Sequence, residues 1–187
     1  MELNLIVLAS LGTLLLAVLP GALFLYSNLF KLRDPLTLWK AIGDSPLYFC
    51  RNWIFTTILG FINPYSRTLP LKILELDQGR VVATVKEKNS LRNPFNSIHA
   101  VALCLLAETV GGLAMFTKLG KKDRGILKGL KMEYYKKARG TLTAESGFQL
   151  ERFAGKREVV SSVRILDADL VLVAVAELTW SLELKDE

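Results

Sequence analysis

Histidine and cysteine are scarce in this chain. Its 187 residues include one histidine, His99, and two cysteines, Cys50 and Cys104. Two isolated cysteines exclude a secreted disulfide scaffold and fit a reducing compartment. Neither has the spacing of a metal ligand, so no metal and no other cofactor is expected. Cys104 has no histidine beside it, which argues against a thiol nucleophile. Ser97 and His99 lack an evident third member, which argues against a serine triad. Internal repeats and low-complexity tracts are absent.

Charge is missing from one long stretch. No charged residue occurs from Leu3 to Phe30, and a bilayer span needs roughly 20 apolar residues. A cleaved signal peptide and a buried helix compete with a retained anchor here. A signal would carry a basic start, a shorter apolar core and a small-residue cleavage site. This start carries Glu2 and neither Lys nor Arg. The expectation is a transmembrane anchor over 1–30, making a single-pass membrane protein. Lys31 and Arg33 follow the run, so the positive-inside rule puts the rest on the cytosolic or mitochondrial matrix side.

Hydrophobic residues make up 51% of the chain, and net charge is +6. Much of the positive charge falls between Lys118 and Arg139. A basic balance suits nucleic acid, anionic lipid or a phosphorylated ligand. Zinc ligands and an RNA-binding aromatic motif are both lacking, so no nucleic acid is expected as a partner. A solvated basic face remains the plain alternative.

Residues 31–64 read as a helical linker broken at Ser45-Pro46. Between Asp44 and Arg67 its one charge is Arg51. This piece either lies on the membrane, dips into it, or packs on the domain; a Pro and a central Arg argue against a second span. From Leu69 the period changes to two. "LPLKILEL" and "RVVATVKE" flank a turn at Asp77-Gln78-Gly79, and Val81, Ala83 and Val85 share a face. Four strand-like runs come later. Leu130, Met132 and Tyr134 align in the first, Leu142, Ala144 and Phe148 in the second. Val159, Ser161, Val163 and Ile165 align in the third, after a basic turn at Ala154–Glu158, and Leu170–Leu184 forms the last.

Between the two sets of strands lies "NPFNSIHAVALCLLAETVGG", Asn93 to Gly112. Its first four residues read as a loop, and Ser97 is placed to cap a helix running to about Leu119. That helix is apolar almost all round, so other structure should wrap it. Glu108 interrupts it. A carboxylate away from water costs several kcal/mol unless paired, or protonates. Strands, one enclosed helix, then strands again give an α+β plan: an antiparallel sheet wrapped around one long helix.

A loop Asn, a His opening a central apolar helix and an acid nine residues later resemble the hotdog fold. The likeness is to the PaaI-like acyl-CoA thioesterase branch and the related DUF4442 families, and covers about Tyr65 to Leu184. Residues 65–187 are therefore expected as a hotdog domain. Asn93, His99 and Glu108 match the branch pattern; Asn96 stands where it has Gly, Ala100-Val101 replace two glycines, and Gly112 occupies a common Ser or Thr position. The resemblance implies an acyl-CoA or acyl-carrier thioester as substrate, a place in lipid metabolism, and a homodimer with sites between subunits.

Thioester hydrolysis needs an activated water or carboxylate nucleophile, and donors for the developing oxyanion. The N–H of Ala100 at the helix start suits the oxyanion. Glu108 suits the nucleophile or base, with Asn93 and His99 nearby in the pattern. Val101, Leu105 and Gly112 are candidates for the acyl-chain wall. Nine residues turn about 900° and rise about 13 Å, so one helix does not bring His99 and Glu108 to one atom. Two antiparallel copies do. The same residues also have plain readings: His99 as a cap, Glu108 as a paired acid, Asn93 as a loop former, Gly111-Gly112 as a close packing point. Two functions stay open. One is an anchored acyl-thioester hydrolase. The other is an inactive hotdog domain that binds acyl chains or serves as a subunit of a membrane complex.

Overall fold

The computed structural model describes residues 34–185. The expected anchor over 1–30 lies outside the described residues. Asp34–Glu187 is one compact unit.

The unit opens with two helices. Asp34 caps α1 (Pro35–Gly43): its carboxylate accepts from the N–H of Leu36 at 3.1 Å and of Thr37 at 3.0 Å. Pro35 occupies the first turn, where its missing N–H costs nothing. After the break at Ser45-Pro46, a short 3-10 turn leads into α2 (Arg51–Ile62). Trp39 and Phe55 are buried and meet edge to face, 5.3 Å between centroids. Both helices pack on the first strand. The residues read as a linker are thus helical, and from Asp34 they belong to the compact unit. Among the described residues no helix is long and apolar enough to cross a membrane.

Six strands follow: β1 (Leu71–Asp77), β2 (Arg80–Lys86), β3 (Arg124–Tyr134), β4 (Thr141–Gly147), β5 (Gly155–Leu166) and β6 (Leu172–Leu184). They form one sheet in the order β1-β2-β4-β5-β6-β3, with every neighbouring pair antiparallel. The one long helix, α3 (Ala100–Phe116), comes between β2 and β3 in the chain and packs on the sheet. Alternation decides which face it meets. Val81, Ala83 and Val85 of β2, Leu142 and Ala144 of β4, and Val163 and Ile165 of β5 are all buried. Leu178 and Leu182 of β6 join them.

Two glycines are needed where they stand. Gly79 turns β1 into β2 at φ 75°, and a Cβ there would lie 2.3 Å from the carbonyl oxygen of Phe148. A Cβ on Gly111 would lie 2.2 Å from Leu178 Cδ1 and 3.1 Å from Val163 Cγ2. Gly111 therefore sets how closely α3 approaches the sheet, in line with the packing reading of that pair.

Three features differ from the sequence reading. The cap of α3 is His99, whose Nδ1 accepts from the Val101 N–H at 3.1 Å. Ser97 is instead tied to Asn93 within the preceding loop. Strand β5 begins at Gly155, because the polar run Lys156–Glu158 continues the ladder with β6 although its side chains are exposed. Finally, α3 is not wrapped all round. Its far half is enclosed, but Ala100 and Val101 are exposed and Cys104 and Glu108 only half-buried. The six-stranded sheet reaches one side of the helix start and leaves the other open.

Candidate active site

The open side of α3 follows from helix geometry. Val101, Cys104, Leu105, Glu108 and Gly112 fall on one stripe at three- and four-residue spacing. At its start Val101 is 53% exposed. Leu105 is buried, and Gly112 lies inside, where an added Cβ would meet Trp180 at 3.6 Å. The three residues expected to line an acyl chain thus run from surface to interior on one side of the helix.

Glu108 sits midway along this stripe. Burial pushes its carboxyl above the ordinary carboxylate value. Among the described residues it has neither an ion-pair partner nor a hydrogen-bond donor. Its neighbour Thr109 is buried and its hydroxyl also lacks a partner; nothing in the structure explains that orphan.

The helix start is differently arranged. His99 Nδ1 takes the Val101 N–H, and the His99 carbonyl takes the N–H groups of Ala102 at 2.9 Å and Leu103 at 3.2 Å. The Ala100 N–H has no acceptor among the described residues. It is an unspent donor at the positive end of a 17-residue helix. His99 itself is exposed and acts as a cap in this chain.

Asn93 is occupied by its own loop. Its side-chain oxygen accepts from the N–H of Phe95 at 2.9 Å and of Ser97 at 3.2 Å, and its amide nitrogen donates to Ser97 Oγ at 3.0 Å. Asn96 sits at φ 54°, in the left-handed region where the family pattern places Gly. Arg139 holds this turn by donating to the Asn96 carbonyl at 3.0 Å. The Ile98 N–H donates to Ala138 at 2.8 Å. Glu87 joins the two ends: it accepts from the Gly140 N–H and from Arg92, each at 2.6 Å, and both hold its carboxyl below the ordinary value.

The chain therefore gathers Ala100, Val101 and Glu108 on one side of α3, while Asn93 and His99 are committed to the loop and the cap. The rise from His99 to Glu108 is about 13 Å, so the two do not meet at one atom.

Tyr134 was not singled out as a site residue by its sequence context. Its hydroxyl lies 3.4 Å from Cys104 Sγ and 3.5 Å from the Ala100 carbonyl oxygen. Burial, with the Cys104 contact, pushes it up to about 12, so it stays a neutral phenol. The signal was present in the alternation of Leu130, Met132 and Tyr134, which puts the tyrosine on the helix-facing side of β3. What periodicity could not give was the register that brings it to Cys104.

β3 is an edge strand. It pairs with β6 alone, and none of its residues is fully buried. It carries a bulge between Leu127 and Gly129, and Ile126 on it and Tyr135 just past its end are exposed. Among the described residues no cluster of three or more His, Cys, Asp or Glu could hold a metal ion.

A six-stranded antiparallel sheet in this order, with one long helix between the second and third strands, is the hotdog α+β fold. Solved structures share it. A structural-genomics protein is 27% identical, with a TM-score of 0.63 over 69% of this chain and 87% of that one. A probable thioesterase from Pseudomonas aeruginosa is 22% identical, with a TM-score of 0.61 over 66% and 89%. A thioesterase from Staphylococcus aureus is 20% identical, with a TM-score of 0.57 over 65% and 99%. Among curated proteins none matches. The chain belongs to the DUF4442 family, a domain of unknown function, whose model matches residues 51–182.

Proposed function

We propose that this protein is a membrane-anchored hydrolase of fatty acyl thioesters that works as a homodimer. The observation that carries this reading is the open side of α3. It presents an unpaired, half-buried carboxylate and a helix-start N–H with no acceptor. The thioesterase-like structural neighbours support the same class of reaction. In the staphylococcal neighbour, forms have been solved with a glutamine and a glutamate, fifteen residues apart, each replaced by alanine. Asn93 and Glu108 have the same separation in this chain.

In the proposed reaction the thioester carbonyl oxygen accepts from the Ala100 N–H. Glu108 of the partner chain removes a proton from water, and the water oxygen bonds to the carbonyl carbon. Negative charge collects on the oxygen held at the helix start. The C–S bond then breaks, and the proton returns to the leaving thiolate. A second copy supplies the missing approach: two antiparallel α3 helices set the start of one against the middle of the other. The unpaired edge of β3 and exposed Val101 are the surfaces that such a copy would cover. Arg139 and Lys137 lie just after the strand that reaches the helix start, and suit the phosphates of coenzyme A or of a carrier arm. The anchor over 1–30 would hold the domain where long acyl chains partition, on the cytosolic or matrix side.

The second reading is an inactive hotdog domain that binds acyl chains or serves in a membrane complex. The commitment of Asn93 to its own loop favours it, as does the absence of a hydroxyl at Gly112. Acyl-CoA hydrolysis by the full-length protein in detergent, scanned across chain lengths, separates the two. Turnover that falls about 100-fold or more in Glu108→Gln supports the hydrolase. Acyl-chain binding without turnover supports the second reading.

A further inference from the structure

The first helices carry an apolar surface that stays exposed. Phe49, Trp53 and Phe61 are 73%, 70% and 72% exposed. With Thr57 they form a single row at four-residue spacing along the 3-10 turn and α2. Tyr48 and Tyr65 extend it at the two ends, both well exposed. The opposite side of α2 buries Ile54 and Phe55 against the domain, so the row is the outward face of the helix. Single exposed aromatics are ordinary on a protein surface, but several gathered on one face mark a contact surface.

We infer that this row lies in the headgroup region of a lipid bilayer and fixes how the domain stands on the membrane. The inference rests on reading residues 1–30 as an anchor. Trp and Tyr are the side chains that settle at the membrane–water boundary, with an apolar body and a polar tip. Chain length agrees. The charge-free run ends at Phe30, and four residues span at most about 14 Å to Asp34. Asp34 caps α1, and α1 is fixed to α2 by the Trp39–Phe55 contact and by Arg51, stacked 4.0 Å from the Trp39 ring. The charge-free run thus ends four residues before the helix pair that carries the row. Charge agrees as well. From Ser45 to Leu74 the chain carries Arg51, Arg67 and Lys72 and no acidic residue, which suits anionic lipid. Exposed Arg67 stands 5.9 Å from the Phe61 ring, on a cleft of about 360 Å³ bounded by Thr57, Phe61, Leu69 and Pro70. A guanidinium there meets phosphate oxygens while Phe61 enters the acyl boundary.

The tryptophans provide the test. Of the three, Trp39 and Trp180 are buried, and only Trp53 is exposed. The full-length protein is reconstituted into vesicles of phosphatidylcholine with phosphatidylglycerol as the anionic component. Phosphatidylcholine brominated near the headgroup end of the acyl chain should quench part of the emission. W53F should lose that part, and aqueous acrylamide should quench it little. Tyr65→Trp in the W53F background should restore lipid quenching. Val160→Trp in the same W53F background, at an exposed position on β5, should be quenched by acrylamide and not by brominated lipid. Trp53 quenched by acrylamide and not by brominated lipid overturns the inference. So does protection from both quenchers, which would mean that protein covers the row. Failure of the full chain to float with vesicles overturns the anchor and the docking together, while acyl-CoA hydrolysis in detergent is unaffected by any of these outcomes.

Discussion

The two halves of α3 are both rich in apolar residues and differ in what covers them. From Thr109 to Met115 every residue is buried, and Gly111 brings the helix onto Leu178 and Val163. From His99 to Glu108, one side faces outward, with Val101 exposed and Glu108 half-buried. The covered half shows what one sheet can enclose. The open half shows what it leaves for a substrate or a second copy, and the helix dipole, the free N–H and the unpaired carboxylate all fall there. An unfavourable group, such as a desolvated carboxylate, is tolerated where function can use it.

The sharpest way to break this contrast is to cut a side chain from each side of the helix. Leu106→Ala, at a fully buried position, should cost about 2–5 kcal/mol of stability in urea unfolding. Val101→Ala should stay within about 0.5 kcal/mol when the same unfolding is run at a concentration low enough to leave single chains. Equal losses there would mean that the chain itself covers the open side. Gly111→Ala pushes a Cβ toward the tip of Leu178, a flexible neighbour, and should cost about 1–3 kcal/mol. His99→Ala removes the side chain that takes the Val101 N–H, and should cost about 0.5–2 kcal/mol. If His99 serves only as the cap, His99→Asn should regain most of that loss and leave turnover unchanged. Smallest of all is the stability effect of Glu108→Gln. Burial raises the Glu108 pKa in the folded state, so proton binding favours folding. That contribution is complete at low pH and is lost as pH rises through the folded-state pKa. The variant should therefore match wild type in acid and be slightly more stable near neutrality. A variant that is less stable at neutral pH would show that the carboxylate has a partner.

Much of this contrast could be read from the residues, and its edges could not. Period-two runs located the strands, because alternating Val81-Ala83-Val85 and Val163-Ile165 can bury only one face. The apolar run after His99 gave the long helix, and Glu108 stood out as its one acid. The cap was misplaced by two residues, since Ser97 and His99 can both accept an N–H and only the Asn93 loop decides between them. The start of β5 was missed because ladder pairing with β6, not side-chain pattern, carries Lys156–Glu158. The half-open state of α3 was invisible because periodicity reports which side chains are apolar, not how far a sheet reaches. Tyr134 beside Cys104 depends on the register of β3 against β6, which strand composition does not encode.

The central claim is that the start of α3 in one copy and Glu108 in another make one hydrolytic site. Ala100→Pro deletes the proposed oxyanion donor and should spare the helix, because Pro is tolerated at its first position and His99 already has the extended ψ of 139° that precedes proline. Ala100→Pro and Glu108→Gln should each abolish acyl-CoA hydrolysis. Unfolded together and refolded as an equal mixture, they should recover about a quarter of wild-type activity, since half the dimers are hybrids with one intact site of two. An inactive mixture that contains hybrid dimers would contradict the account, as would full activity in either variant alone.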